Sequence, residues 1–259
     1  MIKPHPFRHI MGVFIFLCMF FMPVLSNAQE NQRKEETYPL FSHLDLYCSF
    51  FLQENALPET KISGAEREDE KILFSDGDVV YINQGLKDGL SEGQLFLVLE
   101  VGRSISQRGH LMFMKGRVRL FTLEENHALG MVEKSCGAVR IGNFLVPFKE
   151  KEGLVGRDEG HDVFLREGEG ASGNFLYIEN ENVQIGRGHR AIIDLGRQHG
   201  LVLGQQLLIF RRSEKDAPLK VIGNSIVIDV QDQSSTIKIL SSEDAITTKD
   251  KVRLHNPSS

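Results

Sequence analysis

The sequence predicts an all-β fold of two tandem small β-barrels, about five or six strands each, and three observations carry that expectation. A ten-residue stretch at 85–94, GLKDGLSEGQ, returns 111 positions later at 196–205 as GRQHGLVLGQ. Five of the ten positions are identical: the three glycines, the leucine and the final glutamine. The segments beside each copy are short β-branched and aromatic runs bounded by turn residues. Helical periodicity is sustained over three turns nowhere beyond the N-terminal apolar run.

That run opens the chain. Lys3 and Arg8 precede apolar residues from Ile10 to Leu25, and Ser26-Asn27-Ala28 follows, the three parts of a signal peptide over residues 1–28. At about 16 residues the run falls short of the roughly 20 a membrane-spanning helix needs. Cleavage after Ala28 is the expectation, with a retained anchor as the alternative and no stable membrane span after cleavage. Losing Lys3 and Arg8 takes the formal net charge from −5 to −7, which supplies no electrostatic attraction to nucleic acid or anionic lipid. The address is therefore periplasmic or secreted.

Cys18 leaves with the leader, so Cys48 and Cys136 remain. An even pair in an oxidising compartment is a candidate disulfide; two buried thiols that never meet are the alternative. A bond would tie the N-terminal segment to the end of the first repeat and close a loop of about 90 residues, for which chain entropy gives about 4 to 5 kcal/mol.

Residues 29–43 read as a flexible tether, polar and charged at the start. The first barrel repeat is assigned to 44–148. Leu44, Leu46, Cys48, Phe50 and Leu52 recur at every second position, which predicts a strand with Cys48 on its buried face. The repeated unit starts near Ile72, with a turn at Gly77-Asp78 and a strand at 79–82. In the organising stretch Gly85 ends that strand, Gly89 reverses the chain with positive φ, Leu90 turns inward and Gly93 makes the corner; a side chain at any of the three glycines is expected to clash. Residues 94–101, QLFLVLEV, are apolar on both faces and should be covered on both sides. A loop follows, then strands at 116–123 and 127–132.

Residues 149–173 carry six glycines and many charges and read as a Gly-rich linker. The second barrel repeat, 174–256, retraces the first, with Gly196, Gly200 and Gly204 answering Gly85, Gly89 and Gly93. Its loop is four residues shorter, so the offset falls to 107 and Gly223 answers Gly116. The longer first loop contains Leu111, Met112, Phe113 and Met114, an apolar cluster that is the candidate contact surface.

Reaction chemistry finds little support. Gly168, Gly170 and Gly173 spell G-x-G-x-x-G, but a strand-like FLYI follows where a phosphate-binding helix would have to open. No histidine pairs with another at metal-binding spacing, Asp76-Gly77-Asp78 lacks the recurrence of a calcium loop, and no G-x-S-x-G elbow occurs. The reading assigns no catalytic, cofactor-binding or metal residue and no cofactor.

The pattern G-D-x-V-Y-I-N-x-G-x-x-x-G-L-x-x-G-Q-x-F-x-V at 77–98, and its counterpart at 188–209, resembles the β-barrel repeat in the C-terminal domain of the flagellar assembly protein FlgT. It is also similar to repeats of exported bacterial proteins, some of which carry LysM peptidoglycan-binding modules; no stretch of this chain looks like LysM. The closing S-x-x-x-I-x-x-G-D of the family stands here as Gly142-Asn143 and Lys249-Asp250. The resemblance implies a non-enzymatic scaffold or adaptor of the cell envelope, bound to a protein partner or to peptidoglycan, with a flagellar accessory or a periplasmic hydrolase as alternatives.

Overall fold

A computed structural model describes residues 38–105, 107–160, 163–165 and 170–254. The expected leader lies outside them. The described residues fall within one compact unit. In chain order the elements are β1 (Tyr38–Phe41), α1 (His43–Tyr47), β2 (Phe50–Gln53), β3 (Ile62–Ala65), β4 (Val79–Ile82), β5 (Leu95–Ile105), β6 (Gly109–Leu123), β7 (Ala128–Ser135) and β8 (Phe144–Pro147). They continue as β9 (Leu154–Gly156), β10 (Phe164–Leu165), β11 (Ser172–Ile178), β12 (Arg190–Ile193), β13 (Gln206–Arg211), β14 (Leu219–Val230), β15 (Ser235–Ser242) and β16 (Lys251–Leu254). The fold is all-β.

The C-terminal half is a closed six-stranded barrel. Its order is β14-β13-β16-β11-β12-β15, and β15 returns to pair with β14. Closure removes the unpaired strand edges an open sheet would expose. Val227, Ile222, Ile209, Ile237 and Val252 fill its interior. The N-terminal half repeats the neighbour order as β3-β4-β7-β6-β5-β8 around Val80, Phe96, Val98, Val118 and Val132. The ends of that path meet through a bridge between Lys61 and Phe144 and hydrogen bonds from Ile62 N to Asn143 O (2.9 Å) and Leu145 N to Thr60 O (2.9 Å).

The two registers correspond residue for residue. Val79 faces Met131 and Tyr81 faces Leu129 in one half; Arg190 faces Lys238 and Ile192 faces Thr236 in the other. Even the irregularity between Leu120 and Thr122 recurs between Val227 and Asp229. Because a one-residue slip would turn every side chain to the opposite face, equal registers mean equal inward and outward sets.

Three expectations are corrected here. Residues 38–43 are not a tether: β1 pairs with β9, and Leu40 and Phe41 pack on Ile226, Ile228 and Leu240 of the barrel. The linker is likewise partly strand, since β9 and β10 lie within 149–173 and β10 pairs with β14. The repeated unit begins at β3 rather than near Ile72, which is largely exposed. In the first two cases short apolar runs found partners distant in sequence, which composition does not report.

The alternation from Leu44 to Leu52 did not make one strand. Ser42 and Asp45 form a reciprocal cap, Ser42 N donating to Asp45 Oδ2 at 2.8 Å and Asp45 N to Ser42 Oγ at 3.4 Å, and this starts α1. Leu44 is consequently 63% exposed while Leu46 is buried. Only β2 is extended, and it adds to β6 through pairs such as Phe50 with Phe113. Residues 38–54 thus form a strap spanning both halves.

The expectation for residues 94–101 holds. Inside β5, Phe96 and Val98 join the core; outside, Leu99, Leu97 and Val101 meet Phe51, Met112 and Met114.

Candidate interaction site

The repeated turn shows why its residues recur. After β4 and after β12 the chain makes a single tight turn, Leu86–Asp88 and Arg197–His199, which docks on a neighbouring loop. Leu86 N donates to Glu124 O at 3.0 Å, and Arg197 N donates to Gln231 O at 2.9 Å. A Cβ on Gly85 would stand 2.3 Å from Glu124 O, and one on Gly196 2.6 Å from Gln231 O. Those two glycines are required by close approach. Gly89 and Gly200 have φ of +81° and +80° with open space around them, and Gly93 and Gly204 are also left-handed, at +79° and +83°. The clash expected at all three positions is therefore confined in each repeat to the first, apart from the Leu154 side chain beside Gly204 at 3.1 Å; the others are held by φ. The final glutamine also has a reason, because Gln94 Oε1 accepts from Ser91 N at 3.2 Å and Gln205 Oε1 from Val202 N at 3.3 Å.

Cys48 and Cys136 lie at disulfide distance, with Cα atoms 5.3 Å apart. The link joins the strap to the end of β7, as the sequence led us to expect. Cys48 is half-buried at the end of α1, where its carbonyl accepts from Arg190 Nη1 at 2.5 Å.

Leu111, Met112, Phe113 and Met114 are not a loop. They lie in β6, where Leu111, Met112 and Met114 are buried. Leu111 and Phe113 pack with Phe50, Tyr177 and Ile192, and the Phe113 and Tyr177 rings are 6.4 Å apart. Leu111 and Phe113 thus face the second half of the same chain, while Met112 and Met114 face Phe51 of the strap and Leu99 of β5. The hairpin β5–β6 is longer than β13–β14 because its tip reaches across; Arg103–Glu181 (2.9 Å) and Arg108–Asp194 (3.7 Å) add charge contacts there.

The strap is held by four polar anchors on the barrel, one of them Glu54, which accepts from Ser234 Oγ at 2.7 Å and from Gln233 N at 3.1 Å. Thr236 Oγ1 donates to Phe50 O at 2.7 Å, Arg190 Nη1 donates to Cys48 O, and Lys238 Nζ pairs with Asp45 Oδ2 at 2.8 Å. Burial pushes the Asp45 carboxyl up, but the hydrogen bonds from Lys238 and the Ser42 main chain outweigh it and hold the pKa below the ordinary aspartate value.

On the outer side of β13 and β16 a cleft of about 400 Å³ is bordered by Phe210, Arg211, Arg212, Lys249, Lys251 and Arg253. Arg211 is committed: Nε and Nη2 hold Asp250 at 2.8 and 3.0 Å, and Nη1 reaches Asp244 at 3.0 Å. The hydrogen bond to Asp250 raises the Arg211 pKa further. Arg253 lies over the Phe210 ring at 5.0 Å. Lys249 and Lys251 are exposed and make no ion pair with the described residues. Such a cleft suits a carboxylate or other anion.

Sequence reading passed over this cleft because its cations come from β13, β16 and the turns beside them. One signal was legible: Glu100 and Arg211 occupy equivalent positions. Glu100 pairs with Arg140 at 3.1 Å where Arg211 pairs with Asp250, so the charge signs are exchanged between the halves. Asn143 and Asp250 nevertheless cap the same turn, accepting from Arg140 N at 2.8 Å and Thr247 N at 2.7 Å.

Among the described residues, no three of His, Cys, Asp and Glu gather as a metal-holding group, and no helix is long and apolar enough to cross a membrane. His199 Nδ1 accepts from Gly196 N at 3.0 Å and His189 Nδ1 lies 3.1 Å from Gly186 O, so both are turn residues. Gly173 lies in β11, and Gly168 falls outside the described residues, so the G-x-G-x-x-G stretch opens no helix at its last glycine. No family model matches this chain, and no curated protein matches it.

Proposed function

We propose that this chain is a non-enzymatic scaffold or adaptor of the cell envelope, exported behind a leader at residues 1–28 and working in the periplasm. Its two halves are two barrels of one repeated unit, the N-terminal one closed by the contacts between β3 and β8. The reading rests on the likeness to the FlgT-type repeat and on one structural observation. The outer face of the second barrel already holds a polypeptide segment, the strap, by apolar side chains, two hydrogen bonds to its main chain, one ion pair and the hydrogen bonds to Glu54. A surface that holds a segment containing a helical turn in this way is suited to binding polypeptide.

The ligand is a protein segment or the peptidoglycan layer, and the cationic cleft favours a carboxylated one. The test is co-sedimentation of the purified protein with peptidoglycan sacculi at moderate salt. Saturable pelleting that is lost in K249E/K251E, with unchanged melting, supports wall binding at the cleft. No pelleting of the parent protein removes the wall, and crosslinking in intact cells then seeks the protein partner. Mass spectrometry of periplasmic fractions tests export, the expected mature chain beginning at Gln29.

A further inference from the structure

Equal registers allow the outer faces of the two halves to be compared position by position. On the barrel of the second half the outward residues Ile192, Ile226 and Ile228 are 1% exposed or less, because the strap covers them. Their counterparts in the first half are Tyr81, Arg119 and Phe121. Here nothing in the described chain lies on top: Tyr81 is 36% exposed, Phe121 40% and Met131 45%, with Val79 and Leu129 partly exposed between them. Val79 faces Met131, and Tyr81 faces Leu129, so the five form one continuous apolar patch across β4, β7 and β6.

The substitutions between the faces say what kind of cover this patch accepts. Three of the four anchors that serve the strap are replaced by an apolar residue, Arg190 by Val79, Thr236 by Leu129 and Lys238 by Met131, while Ser234, which holds Glu54, stands as His127. An extended segment laid here would bury main-chain carbonyls with no donors beneath them, which is unfavourable. The patch instead suits a surface whose own hydrogen bonds are already made, such as the outer face of a sheet. Exposed aromatic and methionine side chains are the types enriched at such contacts.

We infer that the patch is the interface of a two-fold dimer in which the β4-β7-β6 faces of two copies of this chain meet. A two-fold contact must be complementary to itself. The rim meets that condition, because it carries both signs: Arg119 Nη2 lies 2.8 Å from Glu133 Oε1 and Arg117 Nη2 3.5 Å from Glu133 Oε2. A rim of one sign would repel its own copy. The strap stays free of this contact, so a dimer presents two straps and two cationic clefts, and a ligand repeated along a surface would be held at two points.

The full chain, purified without reductant, is examined by sedimentation equilibrium over a range of concentrations. The expected result is a reversible species of twice the monomer mass. M131K, which installs the residue type found at the covered counterpart, and F121K are both expected to shift the equilibrium to monomer at least tenfold in dissociation constant, with melting unchanged. A photocrosslinker at position 121 in cells is expected to yield a dimer of this chain. A protein that stays monomeric at every concentration, two well-folded variants that dimerise as the parent does, or crosslinks exclusively to a different protein would each overturn the inference.

Discussion

Replacing Cys48 and Cys136 together by alanine removes a cross-link between residues 88 positions apart. In the chain-entropy account, freeing a loop of that length in the unfolded state costs about 4.6 kcal/mol of stability, and removal of native disulfides commonly costs about 2 to 5. The folded state should change little. The strap keeps Leu40, Phe41 and Leu46 against Ile226, Ile228 and Leu240, and keeps its contacts to Thr236, Arg190 and Lys238. For a unit of this size each kcal/mol corresponds to roughly 2–4 °C in Tm, so C48A/C136A is expected to melt about 5 to 15 °C below the parent, with an unchanged far-UV circular dichroism spectrum. Adding reductant to the parent should reproduce the variant's Tm, and adding it to the variant should do nothing. A variant melting within about 2 °C of the parent, or one that loses its folded spectrum at low temperature, would refute this reasoning, the first by denying the cross-link and the second by denying that the strap docks without it.

Three further perturbations follow from the turn, the cleft and the strap. G85A and G196A set a methyl against main-chain atoms that cannot move aside and should each cost about 3 kcal/mol or more in urea unfolding, whereas G89A, with open space and only an unfavourable φ, should cost about 1; equal midpoints would sink the distinction between close approach and strain. R211M strands Asp250, which is 3% exposed, and is expected to lose about 3 kcal/mol. D250N added to it should recover part of that loss, because Asn143 caps the equivalent turn in the first half without a charge; no recovery would show that the carboxylate matters for something other than its pairing. Asp45 has a depressed pKa in the folded protein, so its contribution is present above the ordinary value of 3.8 and fades as pH falls below it. Proteolysis within the strap should therefore accelerate below that pH in the parent, and D45N should be cleaved at a rate that changes less across the same interval.

What could be read in advance was read where a local rule acts. The glycines of the two turns announce themselves because no other residue fits a main-chain approach of 2.3 Å or a φ near +80°. The strands β4, β5, β12 and β13 show as short apolar runs between those turns, and the even cysteine pair pointed to a link between strap and β7. One error arose where distant partners decide, the other where a local cap was overlooked. Leu111–Met114 look like an exposed cluster beside a loop until Phe50 and Tyr177 are brought over them. The alternation at 44–52 reads as a strand until Ser42 and Asp45 cap a turn within it.

The sequence by itself determined the β class, the repeat and its turns, because these depend on steric limits and side-chain period within a few residues. Tertiary structure alone decided that the N-terminal segment covers the C-terminal barrel, that β6 is the seam between the halves, and that five cationic side chains of β13, β16 and their flanking turns border one cleft. The first two depend on which apolar face meets which, and the third on charges that β13 and β16 bring together; the hydrophobic effect that drives such pairing has no direction along the chain.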